Sequence, residues 1–201
     1  MARIELWNGD ICDLEVDAIV SPAATSLWMS NGVAGEIKRA GGDAIEFAAL
    51  RQAPVELGDA IVTPAGRLAA KVVIHAVSLE RDRRTNATAI DHAVRNAMAR
   101  VRELGLQSVA FPALGTGIGG FPLEEAAQIA VTAVSEELEA SPGVEHVVFA
   151  LRGAAAYDAF AHALSADEPQ PARPLVAADR AAASPGLAAD PASRPEDGER
   201  R

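Results

Sequence analysis

The sequence predicts an α/β fold with one sheet covered by helices on both faces. Three observations carry that expectation. Six short runs are β-branched or apolar and are bounded by turn residues, as strands are. Segments with apolar residues at helical spacing lie between them. The two kinds alternate along the chain, which is the pattern of a sheet whose strands are joined by helices packed on it.

The expected strands are residues 4–7, 17–20, 60–63, 72–77, 108–111 and 146–151. A helix over 86–104 places Ile90, Val94, Ala97, Met98, Val101 and Leu104 on one stripe. Thr85 or Asn86 is its N-cap and Gly105 its stop. A helix over 122–140 opens with Pro122, Glu124 and Glu125, residue types suited to a first turn. Its stripe is Leu123, Ala127, Ala130, Val131, Val134 and Leu138. Shorter helices fit 32–40, 43–52 and 154–164.

The chain has 201 residues, of which 49% are hydrophobic and 23% charged, as in an ordinary soluble domain. Net charge is −10, with only two lysines, Lys38 and Lys71. Duplex nucleic acid and anionic membranes call for a basic surface, so neither is an expected partner. The single cysteine, Cys12, excludes an intrachain disulfide and an all-cysteine zinc site. The opening residues lack a signal-peptide pattern, and no apolar run nears the roughly 18 residues of a membrane span. The expected location is the cytoplasm. Composition shifts near Ser165. Residues 165–201 hold six of the twelve prolines and no aromatic residue. Such a stretch buries too little apolar area to offset chain entropy. The expected organisation is a domain over 1–164 and a disordered tail over 165–201.

The strongest local signal is Phe111-Pro-Ala-Leu-Gly-Thr-Gly-Ile-Gly-Gly-Phe-Pro122, between a strand and a helix. Glycines let backbone N–H groups turn inward, and the helix that follows aims its free N–H groups at the same place. The loop is built to hold a phosphate, or is a tight turn with no ligand. No lysine or arginine lies within it. Gly115, Gly117 and Gly120 also match the dinucleotide pattern, but the acidic residue that should end a second strand is missing. A Walker loop is excluded, since no Gly-Lys-Ser/Thr occurs. Ser30-Asn-Gly-Val-Ala-Gly35 is a second glycine loop opening a helix. Two such loops suggest a diphosphate, or are two unrelated caps. Asp10, just after the first strand, can accept from an exocyclic amine or cap its own turn.

Taken in order, these segments resemble the macro domain family, whose members bind ADP-ribose and related metabolites. The matching runs are 9–20, 30–35, 72–77 and 108–121. The resemblance implies a three-layer α/β/α sandwich with a mixed six-stranded sheet. It implies that Asp10 holds the adenine amino group and the Ile11 N–H an adenine ring nitrogen. Ser30, Asn31, Gly32, Val33 and Ala34, with Gly115, Thr116, Gly117, Ile118, Gly119 and Phe121, would clasp the diphosphate and the distal ribose. No cofactor or metal is implied.

The sequence also departs from the family pattern. Where the family reads Asn-Ala-Ala-Asn, this chain reads Ser21-Pro-Ala-Ala24. The second Asn, which assists hydrolysis in many members, falls on Ala24, and an Asp common in hydrolytic members falls on Ala34. Where an aromatic often stacks on adenine stands Arg152, which can stack through its guanidinium plane or lie at the surface. His75 reads as a core histidine and Cys12 as a small apolar filler. His92, His146 and His162 lack metal-ligand spacing. Thr116 donates to a phosphate or caps its turn. No catalytic residue is assigned. Two functions remain: binding of ADP-ribose, free or on a protein, and hydrolysis of an ADP-ribose derivative with the substrate's own phosphate orienting water.

Overall fold

The computed structural model describes residues 2–140 and 143–167. Its strands are β1 (Arg3–Asn8), β2 (Ala18–Ala24), β3 (Ala60–Pro64), β4 (Val72–Leu79), β5 (Ser108–Phe111) and β6 (His146–Leu151). Its helices are α1 (Gly32–Gly41), α2 (Asp43–Leu50), α3 (Ala87–Glu103), α4 (Leu123–Glu139) and α5 (Ala154–Asp167), with a short 3-10 turn at Ile11–Asp13. All six expected strands and five expected helices form. The sheet order is β1-β6-β5-β2-β4-β3. Every neighbouring pair is parallel except β3 with β4, so the sheet is mixed.

Alternating strand residues face two cores. On one side Val20, Ile74, Val109, Phe111, Val147 and Phe149 pack with the stripes of α3, α4 and α5. The Phe149 ring lies 4.8 Å from that of Phe160 on α5. On the other side Ile19, Val73, Ala110 and Val148 pack with Ile37 of α1, Ile45 of α2 and Ile11. This gives the three-layer α/β/α sandwich. The Asn86 side chain accepts from the Ala89 N–H, which settles the N-cap of α3.

Two boundaries differ from expectation by three residues or more. β2 runs four residues further, through Pro22. Its pairing with β5 ends at Ile19 and Ala110, while its pairing with β4 continues to Ala24. Past Ile19 the strand is open on its β5 side, so a residue without an N–H is tolerated there. α5 extends three residues beyond 164, with the Ser165 hydroxyl donating to the Ala161 carbonyl at 2.9 Å. No glycine or proline occurs in the sequence between Ala154 and Pro169. The rest of the segment expected to be a tail lies outside the described residues.

Asp17 holds the start of β2 to both neighbours. Its carboxylate accepts from the Gln107 and Ser108 N–H groups at 2.8 and 3.2 Å and pairs with Lys71 at 2.7 Å. The β2 and β5 strands are thus tied at one end and part at the other.

Candidate functional site

Where β2 and β5 part, a cleft of about 410 Å³ opens across the carboxyl ends of the strands. The chain leaves β2 toward β3 and β4 on one side and leaves β5 toward β6 on the other, and such a switch between neighbouring strands is where open α/β sheets take ligands. The strand order fixes the direction of the cleft. Arg152 follows β6 at one end, and Leu79, Arg81 and Arg83 end or follow β4 at the other. Three strand spacings separate these ends, or about 14 Å.

One wall is the start of α1. Ser30, Asn31, Gly32, Val33 and Ala34 all line the cleft. The cap residue Asn31 makes no side-chain bond to the helix, and the first intrahelical bond drawn from this turn is from Gly35 to the Asn31 carbonyl. The N–H groups of Gly32, Val33 and Ala34 therefore stay unspent at the positive end of the helix dipole. Glu46, which the sequence reading missed, anchors this wall. Buried on α2, it accepts from the Met29 N–H at 2.8 Å and pairs with Lys38. No periodicity could reveal it, because its partners lie on a loop and another helix.

The opposite wall is the loop after β5. Gly115, Thr116, Gly117, Ile118 and Gly119 line the cleft. The loop closes on itself through the Phe121 N–H to the Gly115 carbonyl and the Gly120 N–H to the Gly117 carbonyl, each 3.1 Å. Gly115 takes a φ of +78°, which favours glycine. The Thr116 hydroxyl donates to the Ala113 carbonyl at 3.0 Å, so it caps the turn. Backbone N–H groups of 116–119 have no backbone acceptor among the described residues. Phe121 does not line the cleft. It packs on the core beneath the loop.

Asp10 and Ile11 also lie outside the lining residues, next to the Arg152 end. Ile11 is buried. Asp10 accepts from the Cys12 N–H at 2.9 Å and from Arg152 at 2.7 Å. Arg152 also donates to Glu36 at 2.6 Å, so it bridges two carboxylates rather than lying free at the surface. Partial burial pushes the Asp10 carboxyl up, but Cys12 and Arg152 outweigh it and hold it below the usual carboxylate range. Burial and nearby carboxylates, Asp10 first among them, push the Cys12 thiol up to about 12. It stays protonated and is no nucleophile.

At the far end Ala24 and Ala34 present only methyl groups to the cleft. Arg81 and Arg83 also line the cleft, two cations that the sequence reading did not single out. They stand 34 and 32 residues before Gly115 in the sequence, on the β4–α3 connection, so the motif itself held no sign of them. Trp28 lines the same cleft and was likewise not singled out. His75 is wholly buried, bonds to Thr63 at 2.9 Å and faces the core, not the cleft. Among the described residues no group of His, Cys, Asp and Glu could hold a metal ion, and no helix is long and apolar enough to cross a membrane.

A crevice between two glycine loops at the carboxyl ends of a mixed six-stranded sheet defines the macrodomain class. The Macro domain model matches residues 20–130, more than half of the chain, and the chain belongs to that family. An uncharacterised protein of Mycobacterium bovis is 40% identical over 168 residues, covering 84% of this chain and 46% of that protein. The chain thus spans about half the length of the first curated relatives it matches. A protein of Salmonella newport named O-acetyl-ADP-ribose deacetylase is 38% identical over 154 residues, covering 74% and 86% of the two chains. The structure of the Trypanosoma brucei macrodomain in complex with ADP-ribose superposes with a TM-score of 0.75 at 26% identity, covering 80% of this chain and 68% of that one.

Proposed function

We propose that this chain binds ADP-ribose, free or attached to a protein, and hydrolyses its linkages slowly or not at all. The observation that carries the reading is the pair of unspent backbone N–H sets at 32–34 and 116–119, from two different loops, lining one cleft. Backbone N–H bonds to a charged group contribute roughly 1.5–3 kcal/mol each. Three or four of them, less the cost of association, give affinity on the order of micromolar. Asp10 accepts from the adenine amino group through the lone pairs that Cys12 and Arg152 leave free, and the Ile11 N–H donates to a ring nitrogen. Arg152, held flat by Asp10 and Glu36, lies against the base. Phe121 supports the second loop from below. The distal ribose then falls toward Ala24.

Slow turnover follows from that end of the cleft. A hydrolytic water must be held against the anomeric carbon, and neither Ala24 nor Ala34 has an atom to hold it. Loss of one positioned polar group commonly lowers a rate about a hundredfold or more. The Salmonella newport relative's name favours a second reading, deacetylation of O-acetyl-ADP-ribose, with substrate phosphate orienting water. Calorimetric titration with ADP-ribose, followed by turnover of O-acetyl-ADP-ribose and of mono-ADP-ribosylated protein on the same sample, separates the two. The expected result is micromolar binding with little turnover, and a rise in turnover for Ala24→Asn. Rapid release by the unmodified chain makes it an enzyme.

A further inference from the structure

Resting on the reading of the cleft as an ADP-ribose site, we propose that its β4 end docks an acidic segment of the protein that carries the ADP-ribose. A site for a free metabolite needs only the N–H groups of its two loops. This cleft carries more. Arg81 and Arg83 line it beyond the methyl group of Ala24, at the end furthest from Asp10. Neither side chain has an ion-pair or hydrogen-bond partner among the described residues, whereas Arg84 beside them is committed to Asp82 at 2.6 Å. In a chain of net charge −10, two unpaired cations at the mouth of a cleft stand out.

The rim supplies a second observation. Trp28 is 63% exposed and Ile118 50% exposed, and both line the same cleft as the arginines. Trp and Arg are the side chains that dominate binding at protein interfaces, while small-molecule sites enclose their apolar groups. A groove lined by Leu57, Thr85 and Asn86 adjoins the cleft at Arg81, so a chain leaving the cleft has somewhere to lie. Glu80 and Asp82 also line that groove, which places the favourable field at Arg81 and Arg83 rather than further along. Geometry therefore selects a carrier with acidic residues next to the modified position and an apolar residue within reach of Trp28.

The order of the site agrees with this. With adenine at Asp10 and the diphosphate between the glycine loops, the distal ribose ends near Ala24. Its attachment point then faces Arg81, Arg83, Trp28 and Ile118. The docking residues thus meet the first groups of the carrier and not the nucleotide.

The test uses the full chain and three probes: free ADP-ribose, an acidic peptide carrying ADP-ribose through an amide-linked glutamine that resists hydrolysis, and the same peptide with its flanking acids replaced by lysine. The acidic peptide is expected to bind at least tenfold tighter than free ADP-ribose, the lysine peptide no tighter. The double variant Arg81→Gln, Arg83→Gln is expected to remove the gain and its salt dependence, while its affinity for free ADP-ribose changes less than twofold. Equal binding of all three probes overturns the proposal and leaves the ADP-ribose reading intact. So does an equal loss for peptide and free ligand in the variant, which assigns the arginines to the diphosphate. A gain seen with an ADP-ribose oligomer and not with the acidic peptide also overturns it. Failure of free ADP-ribose and both peptides to bind overturns the reading beneath it as well.

Discussion

Asp10 carries two bonds before any ligand arrives. One oxygen takes the Cys12 N–H and the other takes Arg152. A carboxylate oxygen has a second lone pair, so an incoming amine can share it. The ion pair is half exposed and contributes little to stability, about 0–1 kcal/mol. Asp10→Ala should therefore leave the domain folded. It should weaken ADP-ribose at least about tenfold, the worth of one charge-assisted bond. Ribose 5-phosphate, which has no adenine, should bind nearly as before. Parallel titrations check this, and equal losses for both ligands would mean that Asp10 supports the fold and not the base. Asp10 was legible in the sequence because it stands in the turn just after a strand. The commitment of Arg152 was not, because its two partners lie 142 and 116 residues away.

At the scale of the element, two glycines of the loop after β5 differ in what a side chain would meet. A Cβ on Gly119 would meet the Gly115 carbonyl oxygen at 2.7 Å, a backbone atom that cannot yield without opening the loop. A Cβ on Gly117 would meet nothing within 4 Å. Gly117→Glu is therefore expected to fold with an unchanged melting temperature and to lose ADP-ribose binding by a hundredfold or more, since its carboxylate would occupy the phosphate position. Normal binding in a titration would reduce the loop to a turn. The alternation of strand and helix was readable because apolar period and turn chemistry are local. The four extra residues of β2 were not, because Pro22 argues against a central strand in any local reading. Only the departure of β5 after Ala110 makes it tolerable, and that is a fact of topology.

At the scale of the whole molecule, burial lowers His75 to a pKa of about 4 against an ordinary value near 6.5. Its Nε2 bonds to Thr63, and its Nδ1 has no partner among the described residues. The neutral ring is therefore the folded form. Between those two values the unfolded chain binds the extra proton and the folded chain does not, so stability falls as pH falls from about 6.5 to 4. The loss is on the order of 2–3 kcal/mol. Thermal melts across that window should show a declining midpoint in the native chain. His75→Gln should begin less stable and show a flatter decline, and an equal slope in both would assign the effect to other groups. The sequence placed His75 in a core strand, yet its partner Thr63 became apparent only once β3 was seen to pair antiparallel with β4.

The edge position of β1 has a further consequence during synthesis. β1 is made first and pairs only with β6, the last strand of the sheet. A nascent chain that stops short of His146 has already made both glycine loops, but β1 has no neighbour and Asp10 has no Arg152. The cleft gains that end only when the final strand slides in beside the first. A ribosome-stalled series of increasing length would then acquire ligand binding in a single late step, after residue 152, making competence to bind a signal that translation of the domain is complete.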